Sequence, residues 1–116
     1  MSIENLEPAD VARWLAERSI VLIDVREPQE YAAERIHGAL LYPLSTFDPL
    51  VLRDLGDRKI VLHCGSGMRS AKALAACEAA GVAIASHLKG GIQAWKAAGL
   101  PTISVDPATG QPREPR

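Results

Sequence analysis

A cysteine followed by a short glycine-rich segment and an arginine carries the clearest chemistry in the sequence. Residues 64–70 read CGSGMRS. The thiolate of Cys64 would be a strong nucleophile. Two glycines allow the backbone to curl so that its N–H groups point inward, which makes a concavity for an anion. Arg69 adds a permanent positive charge with several hydrogen-bond donors. The segment therefore predicts a nucleophile and an anion-binding loop built from the same residues.

The elements on either side predict that this loop lies at the carboxyl end of a buried strand. Lys59–His63 is typical of a strand covered on both faces, and the alanine-rich run from Ser70 to Ala80 predicts a helix that ends at Gly81. The start of such a helix offers free N–H groups and the positive end of its dipole. Both favour a thiolate, so we expect the pKa of Cys64 to be lowered.

The rest of the chain alternates between helical and strand patterns, which predicts an α/β fold with a mainly parallel sheet. Ligands bind beyond the carboxyl ends of the strands in such sheets. Further helices are predicted from Pro8, over 27–34, from a cap at Ser45 to near Gly56, and over 92–98; further strands are predicted over 20–25, 39–41 and 83–88.

Length and composition limit the kind of protein. The chain has 116 residues and a mass of 12.4 kDa, enough for one domain. Hydrophobic residues make up 47% and charged residues 23%, which is typical of a soluble globular protein. A net charge of −1 gives no support to nucleic-acid binding. No apolar run would span a membrane, and the acidic N-terminus lacks the features of a signal peptide. We expect a cytoplasmic monomer.

The last eleven residues differ from the rest. Residues 106–116 contain three of the eight prolines and no large apolar side chain. Such a segment buries too little surface to offset its ordering entropy. We therefore predict a domain over residues 1–105 and a flexible tail over 106–116.

Four segments together resemble the rhodanese (sulfurtransferase) family over about residues 5–101: LIDVREPQEY (22–31), RIHGA (35–39), CGSGMRS (64–70) and LKGGIQAW (88–95). The resemblance implies a single domain with a central, mainly parallel sheet of about five strands and helices on both faces. It also implies that Cys64 takes a sulfane sulfur from a small anionic donor and becomes a persulfide. An acceptor such as cyanide or a thiol, including a protein thiol, would then remove the outer sulfur. No metal or organic cofactor is required.

The resemblance makes Cys64 the catalytic residue and assigns substrate binding to the rest of the loop: Gly65, Ser66, Gly67, Met68, Arg69 and Ser70. Its backbone N–H groups would stabilise the bound sulfur, and Arg69 would attract the donor. Because this is the loop's only basic residue and CGSG also resembles mercaptopyruvate sulfurtransferases, the donor stays open, with thiosulfate as the leading candidate.

Two other functions compete with sulfur transfer. One is a non-catalytic rhodanese-like module that binds a protein partner, although such modules often lack the cysteine. The other is a phosphatase or an arsenate-reductase-type enzyme. Related cysteine phosphatases have five residues between cysteine and arginine, whereas four separate Cys64 from Arg69 here, a smaller ring that suits a sulfur atom better.

Several further residues are expected to be structural. Cys77 lies in the alanine-rich helix and should pack in the core. His63 should face away from Cys64, because neighbouring strand residues point to opposite faces. Asp24 and Arg26 end a buried strand and should each have a charged partner. Gly90 and Gly91 should allow the last helix to begin close to the loop, and Trp14 and Trp95 should anchor the core.

Overall fold

The structure, a computed structural model, describes residues 2–113 and centres on a five-stranded parallel sheet. Its strands are β1 (Glu4–Leu6), β2 (Ile20–Asp24), β4 (Leu40–Leu41), β5 (Lys59–His63) and β6 (Ser86–Leu88). Their order is β1-β6-β5-β2-β4, and all four pairings are parallel. The predicted α/β fold is confirmed, with β5 and β2 at the centre of the sheet.

Helices cover both faces of this sheet, as expected. They are α1 (Pro8–Ala16), α2 (Pro28–Ala33), α3 (Pro49–Leu52), α4 (Met68–Ala79) and α5 (Gly91–Ala97). Strand β2 is buried throughout, so neighbouring residues enter two different cores. Leu22 belongs to the core formed with α1 and α5, and Ile23 to the core formed with α3 and α4. Trp95 is buried in the first of these cores, while Trp14 is half-buried against it.

A second, three-stranded antiparallel sheet lies outside the main one. It consists of β3 (Glu34–Arg35), β7 (Ile103–Val105) and β8 (Pro112–Arg113), in the order β3-β7-β8. Residues 106–113, which were predicted to belong to a flexible tail, thus form a turn and a short strand paired with β7. Residues 114–116 lie outside the described part of the chain. The flexibility of the segment and the domain boundary after residue 105 stay predictions.

The predicted cap at Ser45 is wrong. The N-cap of α3 is Asp48, whose side chain accepts a hydrogen bond from the amide of Leu50 at 3.0 Å. The Ser45 hydroxyl instead donates to the carboxylate of Glu27 at 2.7 Å. Helix α3 ends at Leu52, well before Gly56.

None of the three strands of the second sheet was predicted, and two strands of the main sheet also differ from prediction. The strand predicted over 83–88 is present only as Ser86–Leu88. Edge strand β1 was not predicted, because three residues with only Leu6 buried give no readable alternation.

Candidate active site

Cys64 directly follows β5, at the carboxyl edge of the sheet where the sequence places it. The residue is buried, with 1% of its surface exposed, and belongs to the core on the α4 side. Gly67, at φ 109°, is the N-cap of α4. This left-handed conformation suits glycine and turns the chain from the loop into the helix. The base of the loop and the start of α4 therefore meet at the sulfur atom.

Two amide donors and one hydroxyl group from this turn surround the cysteine sulfur. The amides of Gly67 and Ser70 lie 3.1 and 3.3 Å from Cys64 Sγ, and the Ser70 hydroxyl oxygen lies 3.6 Å from it. Burial raises the pKa of Cys64, but the Ser70 hydroxyl and the amides of Ser70, Gly67 and Ser66 together lower it by more. The net pKa is below that of an ordinary thiol, as the sequence predicts. Hydrogen bonds to the charged form stabilise a thiolate here.

Helix α5 supports the loop from behind. The amide of Ile92 donates to the carbonyl of Cys64 at 2.9 Å, and the amide of Gln93 donates to that of Gly65 at 3.1 Å. Gly91 makes this approach possible: a methyl group there would lie 2.3 Å from the carbonyl oxygen of Cys64. The predicted close contact between the last helix and the loop is confirmed.

Arg69 binds a partner that the sequence did not reveal. Its guanidinium donates two hydrogen bonds, of 2.6 and 2.9 Å, to the two carboxylate oxygens of Glu30 in α2. The hydrogen bond from Arg69 lowers the pKa of Glu30 to about 2. Arg69 was expected to attract the donor, and its charge is shared with this carboxylate. Nothing in a single sequence pairs residues so distant, although Glu30 does lie within a segment that carries the family resemblance.

The remaining loop residues fall into two groups. Ser70 is buried beside the sulfur, and Gly65 and Gly67 are partly buried. Ser66 is exposed, and Met68 has 73% of its surface exposed. The side chain of Met68 therefore points to solvent, and only its backbone belongs to the turn.

A buried charged pair lies beneath the loop. Arg26 donates to both carboxylate oxygens of Asp24, with its terminal nitrogen 2.8 Å from Oδ2, and the same nitrogen donates to the carbonyl of Glu34 at 2.6 Å. The predicted partners of Asp24 and Arg26 are thus each other. His63 Nε2 lies 3.5 Å from Asp24 Oδ2. Asp24 and His63 are in register on neighbouring strands, so their side chains lie on the same face of the sheet. Since successive side chains alternate between faces, His63 faces away from the Cys64 side chain, as predicted.

Cys77 has the packing role that the sequence suggests. It is fully buried in α4 and forms no disulfide, and burial raises the pKa of its thiol. Within residues 2–113, no group of three or more histidine, cysteine or acidic side chains is placed to hold a metal ion. None of the helices in that range is long and apolar enough to cross a membrane.

The fold and the site together define a class of protein: a parallel α/β domain with a buried cysteine in the strand-to-helix loop at the carboxyl edge of its sheet. The rhodanese-like domain model matches residues 7–98, and the chain belongs to that family. A sulfurtransferase of Allochromatium vinosum is 32% identical over 106 residues, which cover 90% of this chain and 98% of the relative. An uncharacterized protein of Synechocystis is 39% identical over 101 residues, 87% of this chain; the chain spans only 56% of that relative.

Solved structures agree with this assignment. The rhodanese-like domain of an Anabaena protein superposes with a TM-score of 0.76 at 26% identity, covering 92% of this chain and 86% of that one. A thiosulfate sulfurtransferase from Pseudomonas aeruginosa superposes with a TM-score of 0.72 at 34% identity, covering 86% of this chain and 19% of that one. The predicted fold and family are confirmed.

Proposed function

We propose that this protein is a sulfurtransferase that carries sulfane sulfur as a persulfide on Cys64. The donor is a small anion, with thiosulfate as the leading candidate, and the acceptor is cyanide or a thiol, including a protein thiol. The observation that carries the proposal is the set of polar groups around Cys64 Sγ: two backbone amides that donate hydrogen bonds to it, and the Ser70 hydroxyl. The names of the A. vinosum and P. aeruginosa relatives support it.

The first half-reaction forms the persulfide. The Cys64 thiolate attacks the outer sulfur of thiosulfate; the S–S bond of the donor breaks, a new S–S bond forms, and sulfite leaves with the electron pair. The donor and the persulfide are both anionic, so the amides of Gly67 and Ser70 are placed to stabilise negative charge at this position. Arg69 is about one-third exposed and attracts the dianion, with its charge partly balanced by Glu30.

The second half-reaction releases the sulfur. Cyanide or a thiolate attacks the outer sulfur of the persulfide, and the electron pair of the broken S–S bond returns to Cys64. Covalent catalysis of this kind divides one difficult transfer into two easier ones. The burial of Cys64 favours small donors and acceptors, or a protein thiol on a segment that reaches into the loop.

Intact-protein mass spectrometry after incubation with thiosulfate tests the proposal. We expect the wild type to gain the mass of one sulfur, and cyanide to remove it, because the persulfide is the intermediate. Cys64→Ser should gain nothing. Cys77→Ser is the matched control and should gain sulfur like the wild type, since Cys77 is buried in the helix away from the donors.

If neither thiosulfate nor mercaptopyruvate adds sulfur to the wild type, the catalytic proposal fails and a binding module becomes the better explanation. Equal loss of sulfur uptake in both cysteine variants would contradict the assignment of Cys64 as the nucleophile.

A further inference from the structure

A row of four polar side chains connects the nucleophile to the edge of the sheet. Cys64 Sγ lies 3.6 Å from Ser70 Oγ, which lies 2.8 Å from His87 Nδ1. On the other side of the ring, His87 Nε2 lies 2.7 Å from Asn5 Oδ1. Asn5 and His87 are direct partners in the parallel register of β1 and β6. Sheet pairing and the first turn of α4 together build the row, and the proposed sulfur transfer does not use its outer half.

The hydrogen atoms in this row all point the same way. Asn5 Oδ1 is an acceptor, so His87 Nε2 carries the hydrogen and the neutral ring keeps a lone pair on Nδ1. The Ser70 hydroxyl has a single hydrogen and lies near two acceptors, this lone pair at 2.8 Å and the carbonyl oxygen of Gly67 at 3.2 Å. The contact with His87 is the shorter one, and we assign the hydrogen to it. The hydroxyl oxygen is then free to accept a hydrogen bond from the Cys64 thiol. The two hydrogen bonds between Cys64 and His87 are therefore both donated in the direction from the sulfur to the histidine.

We infer that His87 receives the thiol proton of Cys64 through the Ser70 hydroxyl, and that Asn5 orients the ring for this transfer. The S–H bond breaks and its proton moves to Ser70 Oγ, while the original hydroxyl proton moves to His87 Nδ1. The products are a Cys64 thiolate and a His87 imidazolium, with no change in total charge. His87 is a positioning residue, because it acts on the sulfur through Ser70. The inference rests on the proposed function only in that Cys64 must be a nucleophile.

The surroundings of His87 suit this role. The residue has 6% of its surface exposed, and burial lowers its pKa. Burial alone disfavours the imidazolium, so the proton transfer depends on the negative charge that the Cys64 thiolate places near the ring. Asn5 holds the ring in the tautomer that leaves Nδ1 free to accept a proton. In other nucleophile–histidine pairs, a second partner of the histidine orients the ring in the same way. In the protonated state, the Ser70 hydroxyl turns to donate to the thiolate and accepts from His87 Nδ1, so no hydrogen bond is lost.

Other charged groups near the row have partners of their own. Arg69 attracts the Cys64 thiolate but is bound to Glu30. His63 contacts the Cys64 carbonyl through Nδ1 at 3.2 Å and faces Asp24, away from Ser70. On β1, Glu4 is paired with Lys59 and the Ser86 hydroxyl. Within residues 2–113, His87 is thus the titratable group other than Cys64 that is hydrogen-bonded to Ser70.

The rate of Cys64 alkylation by iodoacetamide, measured against pH, tests the inference without any sulfur donor. His87→Leu should raise the pKa seen in this profile and slow alkylation at neutral pH by about tenfold, the equivalent of one pKa unit. His87→Asn keeps a polar group near the position of Nδ1 but cannot take up a proton, so it should be as slow as His87→Leu; a restored rate would overturn the proton transfer. Asn5→Asp should lower the pKa, because a carboxylate stabilises the imidazolium.

The decisive test is made in the Ser70→Ala variant, because loss of the hydroxyl breaks the hydrogen-bonded row between Cys64 and His87. In that background, His87→Leu should cause no further change in the alkylation profile. An equal effect of His87→Leu with and without Ser70 would overturn the inference, as would an unchanged profile in the single variant. Cys77→Ser in every protein removes the second thiol from the measurement.

Nitrogen NMR of the His87 ring provides a measurement that needs no histidine variant, should those variants fail to fold. We expect hydrogen on Nε2 throughout, and a proton on Nδ1 that accompanies the Cys64 thiolate and is lost to solvent at the pH where the cysteine–histidine pair gives up its last proton. Cys64→Ser should abolish that coupled step. A ring with hydrogen on Nδ1 in the thiol state would overturn the inference. A protein that shows the coupled titration but takes up no sulfur would refute the proposed function alone.

Discussion

Arg69 and Glu30 are the charged part of the site, and their pairing changes what the arginine contributes. Each side chain is about one-third exposed, so solvent weakens the pair. A dianionic donor would meet a guanidinium whose field is partly cancelled by a carboxylate. The affinity for thiosulfate should therefore depend on both residues, with opposite signs.

We predict that Arg69→Ala raises the KM for thiosulfate and that Glu30→Gln lowers it. Each change should be about twofold to fivefold, which corresponds to the 0.5–1 kcal/mol typical of partly exposed charges. Both effects should shrink in high salt, since exposed charges are screened. Steady-state kinetics at two ionic strengths check this. A Glu30→Gln enzyme with a higher KM would mean that Glu30 chiefly holds Arg69 in position.

Only the site residues that follow one another in the chain could be recognised from the sequence. Cys64 and its loop are consecutive, so their chemistry is readable from residue types and spacing alone. Glu30, His87 and Asn5 reach the site only through helix packing and strand pairing. No periodicity in a single sequence reports contacts of that kind, which is why all three were missed.

At the scale of elements, the start of α5 is the support on which the loop depends. Its first amides hold the carbonyls of Cys64 and Gly65, which turns the following peptide units so that their N–H groups face the sulfur. The close approach leaves no room for a side chain at Gly91, where φ is +61°.

We predict that Gly91→Ala displaces the loop, slows alkylation of Cys64 and lowers the free energy of unfolding by about 2 kcal/mol or more. A methyl group there would lie 2.3 Å and 2.6 Å from two carbonyl oxygens. Gly99→Ala is the matched control: φ is +78° just after the same helix, but nothing lies within 4 Å. It should cost only about 1–2 kcal/mol of backbone strain and leave alkylation unchanged. Equal effects on alkylation would contradict the supporting role of α5.

The helices and strands with long sequence patterns were predicted correctly, whereas most of the short strands were not. Strand β4, two residues long, is an exception that was predicted over 39–41. The buried runs at 20–25 and 59–63 gave β2 and β5, because strands covered on both faces are apolar throughout. Strands β3 and β8 have two residues each and depend on pairing with β7, so local sequence gives no signal for them. Ser45 was assigned as a cap because its residue type permits that role, but Asp48 lies next to Pro49 and occupies it.

Protonation of one buried side chain, His63, affects the stability of the whole molecule, because the charged ring opposes folding. His63 is fully buried; Nδ1 faces the Cys64 carbonyl, and Nε2 has no hydrogen-bond partner. Burial lowers the pKa of His63, and the charge of Asp24 only partly offsets this, because Arg26 neutralises that carboxylate. The folded protein therefore holds the neutral ring, whereas the unfolded chain binds a proton near the ordinary pKa of about 6.5.

The sign of the resulting pH dependence follows from proton binding. Because the unfolded state takes up a proton that the folded state excludes, stability is complete above about pH 6.5 and falls as the pH decreases below it. One such group contributes a slope of at most about 1.4 kcal/mol per pH unit. Urea unfolding between pH 7.5 and about 5 should show this decline in the wild type. His63→Gln should have a smaller slope, and exposed His37→Gln tests the loss of a histidine without burial. A wild-type stability that is flat over this range would mean that His63 binds its proton in the folded state, between Asp24 and the Cys64 carbonyl.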